Sequence, residues 1–157
     1  MTSPFPPDDW TRGPGPDAMF SQFLAQKEFR IQRCRGCGSH LFYPRLACTR
    51  CGGVELEWVA ASGRGVVHAV SIVNRSAEKG GPYNVVLVDL AEGPRMMSRV
   101  EGVGNEAVRI GMAVRARVAE GADGPCVVFD AATGGGAMNR PAVHKAASAV
   151  RSTKDTQ

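Results

Sequence analysis

From residue 58 onwards, apolar and polar positions alternate in short runs broken by glycine- and proline-containing turns, which is the pattern of β-structure. GRGVVHAVSIVN (63–74), YNVVLVDL (83–90) and RMMSRVEG (95–102) predict three strands, the last two joined by the turn Ala91-Glu92-Gly93-Pro94. A connector, NEAVRIG (105–111), has room for a short helical turn. MAVRARVAE (112–120) then alternates strictly, with Met112, Val114, Ala116 and Val118 on one side and Arg115 and Arg117 on the other. PCVVFDAA (125–132) predicts a fifth strand after the turn Gly121-Ala122-Asp123-Gly124. Three strands, a connector and two more strands suit a small closed barrel of the OB type. An open sheet fits less well, because its edges would need protection.

The pattern differs before residue 58. Asp17 is placed to cap a helix over 18–29, in which Phe20, Phe23 and Leu24 share one face. That face has two uses, packing on the chain's own ribbon and barrel or insertion into a partner, and sequence does not choose between them. Residues 1–16 contain five prolines and little that could build a core, so a disordered leader is expected. Residues 133–157 open with Gly134-Gly135-Gly136 and continue polar and alanine-rich, as a flexible tail does. The expected organisation is a leader (1–16), an amphipathic helix with a cysteine ribbon (17–57), an OB domain (58–132) and a tail (133–157). The fold class is mainly β.

Composition changes the functional picture more than the fold. Nineteen glycines and ten prolines against ten aromatic residues favour turns and short strands over long helices. The sequence has no apolar run of membrane-spanning length and its N-terminus lacks a signal-peptide core, so a cytoplasmic location and no membrane role are expected. The net charge of +4 invites a nucleic-acid reading, but its distribution argues against one. Residues 58–131 carry eight basic and eight acidic side chains, whereas the segment from 132 carries a net +3. The excess cations thus lie mostly outside the predicted barrel. Within 58–131 the aromatic residues are Trp58, Tyr83 and Phe129, a poor set for stacking bases. Single-stranded nucleic-acid binding stands as the alternative function.

The strongest chemical signal is Cys34-Arg35-Gly36-Cys37-Gly38 followed by Cys48-Thr49-Arg50-Cys51-Gly52-Gly53, with ten residues between Cys37 and Cys48. Each CxxC sets two sulfurs at the tip of a tight turn, and the following glycine permits the positive φ that points amides at sulfur. Two such knuckles supply the four corners of one tetrahedral site, so Cys34, Cys37, Cys48 and Cys51 are the expected ligands of one structural metal ion, zinc in preference to iron. Iron uses the same ligand type and remains the competitor, with a rubredoxin-like electron carrier as its functional counterpart. Four thiolates leave no open coordination position, so no catalysis at the metal is expected. His40 lies between the knuckles but is not needed as a ligand.

The succession of an amphipathic helix, IQRCRGCGSHLFYPRLACTRCGG, LEWVAASGRGVVHAV, PYNVVLVDLAEGPRMMSRV and VRIGMAVRARV resembles a known family over residues 18–131. This is the acyl-CoA-associated family with an N-terminal rubredoxin-like zinc ribbon and a C-terminal OB fold, long described as a domain of unknown function. Trp58, SGRG at 62–65 and EGPR at 92–95 occur in the family's order. The resemblance implies a non-catalytic subunit in a hetero-oligomer with a thiolase-like enzyme: a thiolase, an acyltransferase, or a retro-aldolase acting on side-chain acyl-CoAs in steroid breakdown. It also implies a share in holding the coenzyme A thioester, and with it a place in lipid metabolism.

Coenzyme A presents phosphates and a long amide arm. Arg64, between glycines that allow close approach, is the candidate for a phosphate. Tyr83 and Asn84, after the turn Lys79-Gly80-Gly81-Pro82, are candidates for the arm or the partner. Each has an ordinary reading as an exposed barrel side chain. No catalytic set is found: His68 reads as a strand residue, Cys126 as a small buried thiol and His144 as a solvated tail residue, and no GxSxG or phosphate-binding P-loop is present.

Overall fold

The computed structural model describes residues 13–132, so most of the expected leader and all of the tail 133–157 lie outside the described residues. The alternating runs after residue 63 all become strands. They are β4 (Arg64–Val73), β5 (Tyr83–Leu90), β6 (Arg95–Ser98), β7 (Val100–Glu101), β8 (Ala113–Gly121) and β9 (Gly124–Ala131). The expected third strand is divided at Arg99 into β6 and β7, and the division closes the barrel. β6 pairs antiparallel with β5, while β7 pairs parallel with β9, giving the order β6-β5-β4-β8-β9-β7, which begins and ends in one stretch of chain. Phe129 N donates to Arg99 O at 3.0 Å and Ser98 Oγ donates to Val127 O at 2.7 Å across this seam. The connector forms a 3-10 turn at Asn105–Ala107. Among the described residues the chain is mainly β, with one N-terminal α-helix, a four-cysteine ribbon and an OB-fold barrel.

The ribbon contains a sheet that the cysteine spacing does not reveal. β1 (Arg30–Cys34) lies between β2 (His40–Leu41) and β3 (Leu56–Ala60), antiparallel to both. β3 spans the expected boundary between residues 57 and 58. Trp58 and Val59 therefore pair with Gln32 and Ile31 in the ribbon's sheet, although the pattern grouped them with the barrel.

The helix α1 runs from Pro16 to Ala25, shorter at its C-terminal end than the expected 18–29. Asp17 lies inside its first turn, where a carboxylate favours the helix dipole, and Gly15 occupies the N-cap without a side-chain cap. Lys27 adopts φ 62°, a left-handed conformation that ends the helix and turns the chain into β1.

One apolar core joins the two parts. Leu24 from α1 and Ile31 from β1 share a cluster with Val67, Val86, Val88, Val114 and Phe129 of the barrel. Helix and ribbon are thus held to the barrel by burial, and Ala61 N adds a bond to Phe29 O at 3.0 Å.

Inside this core, Asn84 is 4% exposed. Its Nδ2 donates to Val100 O and to Asn105 Oδ1, both at 2.9 Å, and its Oδ1 accepts from Val100 N at 2.8 Å. The amide thus replaces a strand neighbour for β7 and anchors the 3-10 turn. Asn84→Leu leaves both backbone groups of Val100 buried and unpaired, with an expected loss of about 3 kcal/mol in urea unfolding.

Candidate metal centre

The two knuckles are built alike. Gly38 N donates to Cys34 O, and Gly52 N to Cys48 O, each at 2.8 Å, with Gly38 at φ 72° and Gly52 at φ 74°. A side chain at either glycine would strain the left-handed turn. Amides also face sulfur: Arg50 N lies 3.4 Å from Cys48 Sγ and Gly53 N lies 3.4 Å from Cys51 Sγ. The segment between the knuckles is pinned by Gln32, whose Nε2 donates to Arg45 O at 2.9 Å and whose Oε1 accepts from Arg45 N at 2.6 Å. Sequence reading missed Gln32. Its signal was a polar residue directly after Ile31 in a segment that must pack, and it is 4% exposed.

The four Sγ atoms of Cys34, Cys37, Cys48 and Cys51 lie within 4.8 Å of one another. Cys34 and Cys51 are 3.5 Å apart, and Cys37 and Cys48 are 3.6 Å apart. A tetrahedral site with metal–sulfur bonds of about 2.3 Å has edges of about 3.8 Å, so the quartet fits one such ion. All four thiols are free of disulfides; Cys34 and Cys48 are buried, while Cys37 and Cys51 sit at the surface. Without a cation the quartet cannot ionise evenly. Hydrogen bonds with the Ser39 side chain and backbone lower Cys37 to about 6. The Gly53 amide favours the Cys51 thiolate, but its bonds to Cys34 and Cys37 outweigh it and hold Cys51 up to about 12. A divalent ion removes this conflict by binding all four as thiolates. The four cysteines are positioned to bind a metal.

The other candidate residues are not gathered into one place. Arg64 is exposed at the start of β4, next to the pair Gly65–Leu90, whereas Tyr83 pairs with Val73 at the far end of the same ladder. Nine residues of strand separate the two ends, about 30 Å at 3.3 Å per residue. Tyr83 is half-buried under the Arg75 guanidinium, 4.8 Å from its ring centre. Asn84 has its side chain committed to Val100 and Asn105, so it is no contact for a ligand arm. Leu24 is 4% exposed and is turned into the chain's own core, which removes it from any partner surface. Phe20 and Phe23 are half-buried on Trp58, with ring centres 6.4 and 5.2 Å away.

Two polar groupings were not anticipated. His68 Nδ1 lies 3.1 Å from Asp89 Oδ2, and Arg95 Nε donates to Asp89 Oδ1 at 2.6 Å, linking β4, β5 and β6 on the outer face. Glu92 Oε1 accepts from Ser62 N at 2.5 Å, tying the SGRG turn to the EGPR turn. Near the metal knuckle, Ser39, Arg45 and Arg50 face Glu92 across a cleft of about 470 Å³.

Comparison with known proteins places these features. Two family models match, the ChsH2 rubredoxin-like zinc ribbon domain over residues 21–57 and the ChsH2 C-terminal OB-fold domain over residues 58–119. A DUF35 domain-containing scaffold protein of Methanocaldococcus jannaschii is 33% identical over 104 residues, covering 62% of this chain and 74% of that protein. The chain belongs to the DUF35 family. A 3-oxo-4,17-pregnadiene-20-carboxyl-CoA hydratase alpha subunit of Mycobacterium tuberculosis is 35% identical over 105 residues, or 63% of this chain. The chain spans 32% of that subunit and 31% of a probable enoyl-CoA hydratase alpha subunit of Thermomonospora curvata. Among solved structures, a chain of the Ltp2-ChsH2(DUF35) aldolase superposes with a TM-score of 0.65 at 26% identity, over 83% of this chain and 98% of that one. Among the described residues, no helix is long and apolar enough to cross a membrane.

Proposed function

We propose that this chain is a non-catalytic zinc-ribbon/OB-fold subunit that docks on a thiolase-like enzyme in the cytoplasm and helps to hold its acyl-CoA substrate. The observation that carries the reading is the likeness to a DUF35 chain of an aldolase assembly over 98% of that chain's length. The names of the hydratase relatives, which pair a matching segment with CoA thioester chemistry, support it. Zinc is the proposed ion, because a closed four-thiolate site favours a redox-inert structural metal.

An exposed apolar strip supports docking. Tyr43 and Met97 are 48% and 57% exposed and are joined where ribbon meets barrel, since Met97 N donates to Tyr43 Oη at 3.2 Å. Leu46, on the same ribbon loop, is 50% exposed. Large exposed apolar side chains of this kind mark contact surfaces when they cluster. Phe20 and Phe23 are half-buried and are candidates to extend the surface from the helix side, with the part of each ring left by Trp58, by Phe42 on Phe20 and by the Arg30 guanidinium over Phe23.

The nucleic-acid alternative has less support. Phe129 is fully buried, Tyr83 lies under Arg75, and Trp58, in the ribbon's sheet, lies under Phe20 and Phe23, so the aromatics of residues 58–131 are already in use. Arg99 and Arg117 are likewise engaged by Glu101 and Asp130, which holds the Glu101 carboxyl below its usual range.

The test is affinity purification of the tagged full chain from its source organism, with mass spectrometry of what elutes and light scattering of the complex. The expected result is a stoichiometric hetero-oligomer with a thiolase-fold protein. A monomer that captures none, under conditions where the metal is retained, contradicts the proposal.

A further inference from the structure

β4 and β8 run antiparallel with Arg64 directly opposite Arg115, then Gly65 opposite Val114 and Val66 opposite Ala113. Val114 is 2% exposed and points into the core. Arg64 and Arg115 are one position out of phase with it and both are exposed on the outer face. Directly opposed residues in such a ladder have Cα atoms about 4.5–5.5 Å apart, and like charges so placed destabilise the pair.

The surrounding arginines do not share this condition. Arg95 is paired with Asp89 at 2.6 Å, Arg99 with Glu101 at 2.7 Å, and Arg117 with Asp130 at 2.7 Å. Asp130 is also the cross-strand neighbour of Arg115, yet its carboxylate is given to Arg117. Glu92, the acid that ties down the SGRG turn, bonds Ser62 N. Among the described residues, neither Arg64 nor Arg115 has a carboxylate within 4.0 Å. Two arginines with no carboxylate within 4.0 Å thus occupy directly opposed positions on adjacent strands.

Their setting favours an anion. Ser62 Oγ accepts from Arg64 N at 3.3 Å, which leaves its own O–H free to donate outward. Beside Arg115 opens a cleft of about 370 Å³, whose lining includes Arg115, Phe29, Arg30, Ser62 and Gly63; Arg64 lies outside the lining, next in sequence to Gly63. The one acid in that lining, Glu28, is held by Arg30 at 2.7 Å. A phosphate group offers several oxygens to planar, forked donors and removes the repulsion between them.

We propose that Arg64 and Arg115 form a two-arginine clamp for the phosphate of a small metabolite, seated at the mouth of the SGRG turn. This deepens the accessory-subunit reading and rests on it for the choice of coenzyme A as the phosphate's carrier. Arg115 has no distinctive sequence signal; only the strand register brings it to Arg64.

Calorimetric titration of the metal-loaded full chain at low salt tests the clamp, with coenzyme A and with pantetheine, which lacks the nucleotide phosphates. Coenzyme A is expected to bind, to lose affinity as salt rises, and to bind at least about tenfold more tightly than pantetheine. Arg64→Gln and Arg115→Gln each weaken it about tenfold or more, with metal content unchanged and the melting temperature no lower, since both side chains are exposed and each change removes one of two opposed like charges. No binding of coenzyme A, equal binding of the two compounds, or unaltered affinity in Arg115→Gln overturns the clamp. A thymidine oligonucleotide that binds more tightly than coenzyme A and is lost in the same variants also overturns it, in favour of a nucleic-acid backbone. The purification of the preceding section, run on the double variant, separates the two claims. Capture of the enzyme with unchanged coenzyme A affinity defeats the clamp alone, whereas absence of capture by the unaltered chain defeats the subunit reading and leaves the clamp to the titration.

Discussion

Cys48→Ala is expected to abolish stoichiometric metal binding and to destabilise the chain by more than about 4 kcal/mol, read as loss of the cooperative unfolding transition at ordinary temperature. Cys48 is 3% exposed and its sulfur is 3.6 Å from that of Cys37, so no water or neighbouring side chain can take its place at the fourth corner. Apart from the metal, the ribbon has little to hold it together. Its local cluster consists of Cys34, Leu41 and Cys48 with Leu56 packed on it, and its edge strand β2 is two residues long. Structural zinc in isolated finger peptides contributes about 10–16 kcal/mol of apparent binding energy, and a site that loses one of four ligands forfeits much of that. The damage spreads, because β1 carries Ile31 into the same core as Phe129. Cys126→Ala serves as the control: Cys126 lies on β9 outside the sulfur quartet, and its loss leaves metal content unchanged.

Phe129→Ala is expected to cost about 3–5 kcal/mol in denaturant unfolding, the range for emptying a fully buried aromatic site. Phe129 has 0% exposure and lies on β9 opposite Ala116 on one side and Val100 on the other, at the seam where the barrel closes. Removing its ring takes away the packing between β7 and β8, and strands fixed on both sides of β9 by their ladders leave little room to collapse into the space. This substitution and Cys48→Ala differ in their second readout. Phe129→Ala retains one metal ion per chain in the folded fraction, since all four ligands and both knuckles are intact, whereas Cys48→Ala does not.

The barrel strands were legible because their side chains obey a period of two and their turns carry glycine. YNVVLVDL became Tyr83–Leu90 with the alternation intact, Asn84, Val86, Val88 and Leu90 turned inward. The same alternation was the signal that Asn84 belongs to the core, a signal overlooked when its polarity was read as availability. The division at Arg99 was not legible, since a strand that serves two neighbours is a consequence of closure rather than of local pattern. The metal site was legible because each CxxC closes its own knuckle, and bringing two knuckles together needs only the intervening loop. Gln32 was hidden because its one signal, a polar residue directly after Ile31, reads equally well as an exposed strand position. The clamp was half visible: Arg64 stood out between glycines, whereas Arg115 looked like any outward residue of an alternating strand. The end of α1 was obscured because Lys27 takes the left-handed conformation usually left to glycine or asparagine.

The claim on which the rest depends is that one ion held by Cys34, Cys37, Cys48 and Cys51 ties the two knuckles together and so holds the ribbon in its folded form. Native mass spectrometry of the full chain, followed through stepwise chelation with circular dichroism in parallel, tests it directly. The account predicts one zinc per chain, its release on acidification or by a chelator as protons displace the metal from thiolate, and loss of folded signal in step with that release. A chain that carries no metal as purified from metal-replete cells, and that unfolds identically with and without chelator, contradicts it.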